Sequence, residues 1–443
     1  MSSINKKMSY PSEKTFEGGN ASRISKVEQL RRSVMCCMLW EDSFYEDGIA
    51  IADRIKNLVA SVGEEETRQI MFDAKEKSKL RHIPLYMATL MAEHKWLKKE
   101  DVERIITRAD DMTELLSLYW KEGKKPLSKA IVRGLQLSFK KFDEYNLAKW
   151  NRAKEVKLRD VLRIARPKPE NKEQAELWGR VIKGELATPD TWEVAISACK
   201  NDEEKRNQFE RLINNRLLGD LAFIRNLRKM NQVSVNENYI KESFKDRKWS
   251  KILPFQFITS ARYCPDYEPE LESAMLKCME EHEKINRKVT LLVDVSGSME
   301  DSISNKSETT RIDVACGLGI LLREICTNIS IYTFSDDLVK VPARRGFALC
   351  DAINNSQGHA GTYIQDALDN LSKKEANDLL IIITDEQSAD NVSVNKELAQ
   401  FVTIINVASY QNGVAYGKNC LHISGWSESV VDYLQNYLKD FSK

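Results

Sequence analysis

What the sequence lacks narrows its function first. No apolar run comes near the roughly 18 residues that span a membrane, and the opening MSSINKKMSYPSEK has no signal-peptide core. A cytoplasmic protein without membrane attachment is expected. Nine cysteines stand singly apart from Cys36 and Cys37, and none forms a CxxC pair, which argues against a disulfide framework or a thiolate zinc site. Reduced, buried thiols are expected instead. The five histidines (His82, His94, His282, His359 and His422) show no metal-ligand spacing and are assigned no chemistry. His359 matters only as a loop neighbour of Thr362.

What is present is an ordinary folded composition, 42% hydrophobic and 30% charged, which excludes a disordered chain. At roughly 150 residues per domain, a chain of 443 residues implies two or three units. The net charge of +1 conceals a division. Residues 287–443 carry 14 Lys and Arg against 20 Asp and Glu, a balance of −6 that leaves +7 on residues 1–286. Within that first part, residues 121–168 hold 15 basic and 5 acidic residues. So concentrated a charge suits a polyanionic partner better than a solvated helix face.

The two parts also differ in grammar. From about Lys26 to Lys284, apolar residues recur at helical spacing, as in VEQLRRSVMCCMLW, GIAIADRIKNLVASV, LYMATLMAEHKWL and NQFERLINNRLL. Prolines 84, 126, 167, 169, 189 and 254 punctuate them, no period-two alternation is sustained, and no strict repeat is visible. Helical pairs stacked as an irregular solenoid are expected. From Arg287 the pattern changes to short continuous apolar runs, VTLLVDV, ISIYTF, DLLIIITD and FVTIINV, separated by helical segments such as RIDVACGLGILLREICTN and TYIQDALDNL. Runs apolar at every position fit strands buried on both faces, so this part is expected to be a doubly wound parallel α/β domain.

In such sheets the ligand site lies beyond the carboxyl ends of the strands. The first run, in LLVDVSGSM, stops at Asp294 and continues through Ser296 and Ser298, a later run ends at Asp385, and the loop GHAGTYIQ places Thr362 before a helix. Together these five residues form an all-oxygen set that suits a hard divalent cation, Mg2+ first and Mn2+ second. The competing reading is that Asp294 caps the next element while the serines satisfy turn amides. A second strand-end Asp and a placed Thr weigh against it. A phosphatase with two aspartates one residue apart would need one where Ser296 stands, and no GxSxG elbow surrounds Ser296 or Ser298.

The DxSxS segment, Thr362 and Asp385 resemble the metal-ion-dependent adhesion site of von Willebrand factor A domains, and residues 287–443 match that family in order and spacing. The resemblance implies that Ser296, Ser298 and Thr362 ligate the ion directly, with Asp294 and Asp385 acting directly or through water. A long helical region followed by one such domain in turn resembles the Ro/TROVE family of RNA-binding proteins. Local stretches carry that likeness: TFEGGNASRISKVEQLRRSVM, LSKAIVRGL, LAKWNRAKEVKLRDVLRIARPKP, and LAFIRNLRKMNQ followed by ILPFQFITSARY. The implied layout is an extension at 1–24, a HEAT-like helical domain at 25–286 and the A domain at 287–443.

The family resemblance implies a monomeric ring of helical repeats closed by the A domain. Y RNAs bind the basic outer surface, and single-stranded 3′ ends of misfolded noncoding RNAs enter the hole. In bacteria, relatives also tether a 3′ exoribonuclease. The family's RNA-binding lysine falls on Lys149, its arginine four residues later on Ala153, and its histidine before Lys-Pro on Arg166. These departures bear on specific Y RNA contacts more than on general RNA affinity. The candidate RNA-binding residues are Lys129, Arg133, Lys149, Arg152, Lys154, Arg166 and Lys168, with Trp150 read either as a stacking platform or as a packed side chain.

A noncatalytic role in RNA quality control follows as the leading expectation. The alternatives are a metal-dependent protein scaffold without nucleic acid and, third, a metal-dependent phosphohydrolase using Asp294 and Asp385. No general base or nucleophile accompanies those carboxylates.

Overall fold

The computed structural model describes residues 14–22, 24–36, 47–151, 154–249, 252–280, 282–372, 377–394, 398–408, 410, 412–415, 420–426 and 429–440. The chain forms two compact units, Asp53–Arg247 and a second that joins Met1–Ala52 to Lys248–Lys443. Among the described residues, no helix is long and apolar enough to cross a membrane.

The first unit is built from helices alone among its described residues, many of them packed on a helix one or two places along the chain. Thus Lys99–Ile105 packs on Lys129–Phe139, that helix on Leu158–Ala165, and Leu158–Ala165 on Lys172–Lys183. One N-terminal device recurs. Asp101, Asp111 and Asp160 each sit at the third helical position and accept from the backbone N–H of Lys98, Arg108 and Lys157 at distances of 2.9, 3.1 and 3.0 Å. A carboxylate there satisfies an orphan amide and opposes the helix dipole.

Several charges that look solvated in the sequence are internal pairs. Asp111 is fully buried against Lys75 at 3.1 Å, and Asp101 against Arg68 at 3.1 Å. Pro84 lies in the first turn of His82–Glu93, where its missing N–H goes unneeded, so it starts a helix instead of breaking one.

The second unit holds a six-stranded sheet: β1 (Ile285–Asp294), β2 (Cys326–Phe334), β3 (Leu338–Lys340), β4 (Asn377–Thr384), β5 (Ala399–Asn406) and β6 (Cys420–Ser424). Their spatial order is β3-β2-β1-β4-β5-β6. All neighbours are parallel except β2 and β3. The four central strands are the four apolar runs of the sequence. β3 and β6 escape that pattern because edge strands are short and partly exposed, which removes the continuous apolar signal.

Helices cover the sheet. Ile364, Leu368 and Leu371 of Ile364–Ser372 pack with Leu292, Leu380, Ile382 and Ile404, all buried. Arg311–Ile325 is buried around most of its circumference. The unit also includes Lys26–Met35 from the chain's beginning, which packs on β6, and Pro254–Tyr263, which packs on Arg311–Ile325.

Candidate functional site

The sheet changes direction between β1 and β4, because β2 follows β1 on one side and β4 returns on the other. That switch is where a parallel sheet opens a crevice at its carboxyl end. Asp294 closes β1, and the register Val293↔Ile383 sets it beside Thr384, with Asp385 next along the chain.

Hydrogen bonds string the motif together. The Ser296 hydroxyl donates to Asp294 Oδ1 at 2.6 Å, Ser296 Oγ lies 3.4 Å from Ser298 Oγ, and Ser298 donates to Asp385 Oδ2 at 2.7 Å. Four of the five expected residues therefore form one continuous polar chain. Backbone bonds fix the loop: Ser296 N–H donates to Asp294 Oδ1 at 2.9 Å, and the fully buried Arg311 donates to the Ser298 carbonyl at 2.6 Å.

Thr362 stands on the adjoining loop, which Gly297 N–H joins by donating to the Ala360 carbonyl at 3.1 Å. It is buried, and its carbonyl accepts from Ala389 N–H at 2.9 Å and from the Ser388 hydroxyl at 3.2 Å. Among the described residues, no hydrogen bond joins its own hydroxyl to the other four.

Asp294 and Asp385 are both fully buried. Burial, reinforced by the neighbouring Asp385 and opposed by the hydrogen bonds from Ser296 and Thr384, pushes the Asp294 carboxyl up to about 7. Among the described residues its partners are two hydroxyls and an amide, none of them a cation. A buried carboxylate held by neutral donors beside a second carboxylate is costly without a compensating positive charge.

No cluster of three or more His, Cys, Asp or Glu among the described residues could hold a metal ion. Any ion here depends on the hydroxyls, as the all-oxygen reading requires, and the donor set fits a hard divalent cation. Sequence reading missed Thr384, whose hydroxyl donates to Asp294 Oδ2 at 2.6 Å, and Arg311. Thr384 stood next to Asp385 and was legible in principle; Arg311 was not.

The basic candidates lie in the helical unit. Gly134 lets Lys129–Phe139 approach Lys99–Ile105 so closely that a Cβ there would lie 2.3 Å from that of Val102. With Ile131, Leu135 and Ser138 turned inward, Lys129 and Arg133 are left exposed. Arg166 and Lys168 are exposed at the end of Leu158–Ala165, where Arg166 adopts a left-handed cap with φ 50°. Gln136 donates to the Ala165 carbonyl at 2.7 Å and ties these two places together.

Lys149 and Trp150 end the helix Glu144–Trp150, which packs on Ala109–Tyr119. The Arg108 guanidinium lies 3.4 Å over the Trp150 ring, and Lys149 Nζ stands 5.3 Å from that ring and 5.7 Å from the half-exposed ring of Tyr145. Trp150 is partly buried and stacked by a cation on one face. Tyr145 and Arg108 were not singled out from the sequence, though Tyr145 stands one turn before Lys149.

Lys154 is already paired, 2.7 Å from Glu114 on Ala109–Tyr119. Hydrogen bonding from His82, then from Lys154, overcomes burial and holds Glu114 down at about 2. Arg152 lies outside the described residues.

These features define a class: helical repeats accompanied by a mostly parallel six-stranded sheet domain with the oxygens of Asp294, Ser296, Ser298 and Asp385 gathered at its switch point. No protein-family model and no curated protein matches the chain. Among solved structures it is similar to the Ro (RSR) protein of Deinococcus radiodurans, with a TM-score of 0.61 and 14% identity over 93% of this chain and 99% of that one. The two proteins share a fold across nearly their whole lengths.

Proposed function

We propose that this chain is a noncatalytic RNA-binding protein of the Ro type. The observation that carries the reading is the extent of the likeness, which takes in the helical repeats and the sheet domain together. Its ligands are a small Y-like RNA on the basic surface and unpaired 3′ ends of misfolded noncoding RNAs, and a 3′ exoribonuclease is the partner that would consume them. Exposed Lys129, Arg133, Arg166 and Lys168, with Lys149 beside Tyr145, supply sequence-independent attraction to phosphate and one aromatic face for a base.

In the same reading Asp294, Ser296, Ser298, Thr362 and Asp385 hold Mg2+ or Mn2+. Such an ion supplies an electrophilic centre able to take an acidic group from a partner and offsets the buried carboxylates.

The test is to crosslink and sequence RNA that copurifies with the protein from its own cells, washed at moderate and high salt. A dominant small structured RNA, or enrichment of noncoding RNAs with unpaired 3′ tails, supports the proposal. Background RNA that washes away at moderate salt overturns it in favour of a metal-dependent protein scaffold.

A further inference from the structure

Behind Asp385 lies a group of buried charges that the RNA and cation readings leave unused. Glu386, the next residue, is fully buried and has φ 61°, the left-handed region that costs a side-chain-bearing residue about 1–2 kcal/mol. Such a backbone persists only if its surroundings enforce it.

The enforcing group comes from the other end of the chain. Arg32, on the helix Lys26–Met35 and 1% exposed, pairs with Glu386 at 2.8 Å. The same guanidinium donates to the carbonyls of Tyr410 at 2.5 Å and Asn412 at 3.0 Å, and Nη2 reaches the Asp385 carbonyl at 3.5 Å. Glu386 Oε2 in turn accepts from Val414 N–H at 3.1 Å, and His422 Nδ1 lies 3.6 Å from Oε1.

Upstream of the helix, the chain follows the same loop as a strap. Thr15 donates to the Ser388 carbonyl at 2.6 Å, Phe16 N–H to Gln387 Oε1 at 2.8 Å and Asn20 N–H to Asn391 Oδ1 at 3.0 Å. Asn412 donates to the Lys14 carbonyl at 2.7 Å, and Ser22 N–H to the Gly413 carbonyl at 2.9 Å. Gly19 sits so close that a Cβ would stand 2.4 Å from the carbonyl oxygens of both Ser388 and Asp390. The strap therefore meets the loop of residues 385–391 nearly residue by residue, and Gln387 closes the arrangement by donating to the Asp385 carbonyl at 3.0 Å.

We infer that residues 14–22, with the helix Lys26–Met35, form a positioning strap for the carboxylate site, in which Arg32 acts through Glu386 to hold Asp385 against Ser298. The inference rests on the reading that this site binds a divalent cation. It adds that cation affinity depends on residues some 350 positions away in the sequence that touch no ligand oxygen. Because coupling between sites is reciprocal, the cation must also fasten the strap.

The experiment uses the full chain and Mg2+ or Mn2+ alone as probe. Calorimetric titration is run on the wild type and on Gly19→Ala, Arg32→Lys and Arg32→Met, each checked for fold by circular dichroism. Trypsin cleavage at Lys26 and Arg31 is timed with and without the ion. The expected result is roughly tenfold weaker ion binding in Gly19→Ala and Arg32→Met, partial rescue in Arg32→Lys, and severalfold slower wild-type cleavage when the ion is present.

Gly19→Ala acts where the strap meets the loop and leaves Arg32 and Glu386 themselves unaltered, so it decides the matter should Arg32→Met fail to fold. Folded variants that bind the ion as the wild type does, with cleavage indifferent to the ion, overturn the strap while the cation site stands. A wild type that binds neither ion overturns both.

Discussion

The carboxylate crevice and the basic helical surface solve opposite physical problems. In the crevice, charges are few, buried and locked by hydrogen bonds of 2.6–2.7 Å, so each oxygen has a fixed place. On the helical surface charges are many and exposed, and part of the excess counted along the chain is taken up locally, as Lys154 is by Glu114. A motif can specify the first because the turn from Asp294 to Ser298 is local and the ends of neighbouring parallel strands meet by topology. The second depends on which cations remain unclaimed after folding, and a charge count overstates it.

The largest effect expected is at the crevice. Asp294→Ala combined with Ser296→Ala should abolish Mg2+ binding in calorimetry while RNA affinity changes less than about twofold, since neither residue belongs to the set proposed to meet phosphate. A large RNA defect in a folded variant would break the separation between the two regions.

Next is the basic surface. Replacing Lys149, Arg166 and Lys168 together with Ala should weaken RNA binding at moderate salt. The slope of log affinity against log salt should become shallower by about 0.7 for each single-strand phosphate that is no longer neutralised. An unchanged slope in a filter-binding series removes these residues from the interface.

The sheet unit should also show a pH dependence of its own. Burial lowers the affinity of His422 for its proton, but the Cys420 and Glu386 side chains beside it outweigh that and push the imidazole up to about 10 from an ordinary 6.5. A folded pKa raised above the unfolded one stabilises fully below about 6.5 and is lost as pH rises through about 10. Tm should therefore fall across that interval, and more shallowly in His422→Gln. A parallel fall in both proteins would show that the imidazole is not the group responsible.

Smaller effects sharpen the picture of the surface. Tyr145→Ala should cost about 1–3 kcal/mol of affinity for single-stranded RNA if a base stacks there, with Tyr145→Phe close to wild type. Equal losses in the two variants would point to the hydroxyl instead. Lys154→Ala should change RNA affinity less than about twofold, because its ammonium already serves Glu114; a loss matching that of Lys149→Ala would place Lys154 among the RNA contacts.

Legibility in the sequence followed the range of the interactions. β1, β2, β4 and β5 announced themselves because strands buried on both faces must be apolar throughout, while three-residue β3 and half-exposed β6 carried too little signal. Asp294, Ser296, Ser298 and Asp385 were readable because strand ends of a parallel sheet converge by topology. Tyr145 was missed despite standing one helical turn from Lys149, since an exposed aromatic looks like any surface residue until a cation is seen beside it. Arg32, in a helix six of whose ten residues are charged or polar, gave no hint that its side chain would be fully enclosed.

By itself the sequence determined the two-part grammar, the helical and sheet classes, and four residues of the carboxylate motif, because periodicity is a local property and a parallel sheet brings its strand ends together whatever the rest of the fold. Only the tertiary structure decided which cations stay exposed, that Thr384 and Arg311 complete the crevice, and that Arg32 reaches Glu386. Those outcomes depend on pairs of residues distant in the chain, and burial of one charge makes sense only once its partner from elsewhere has been brought within about 3 Å.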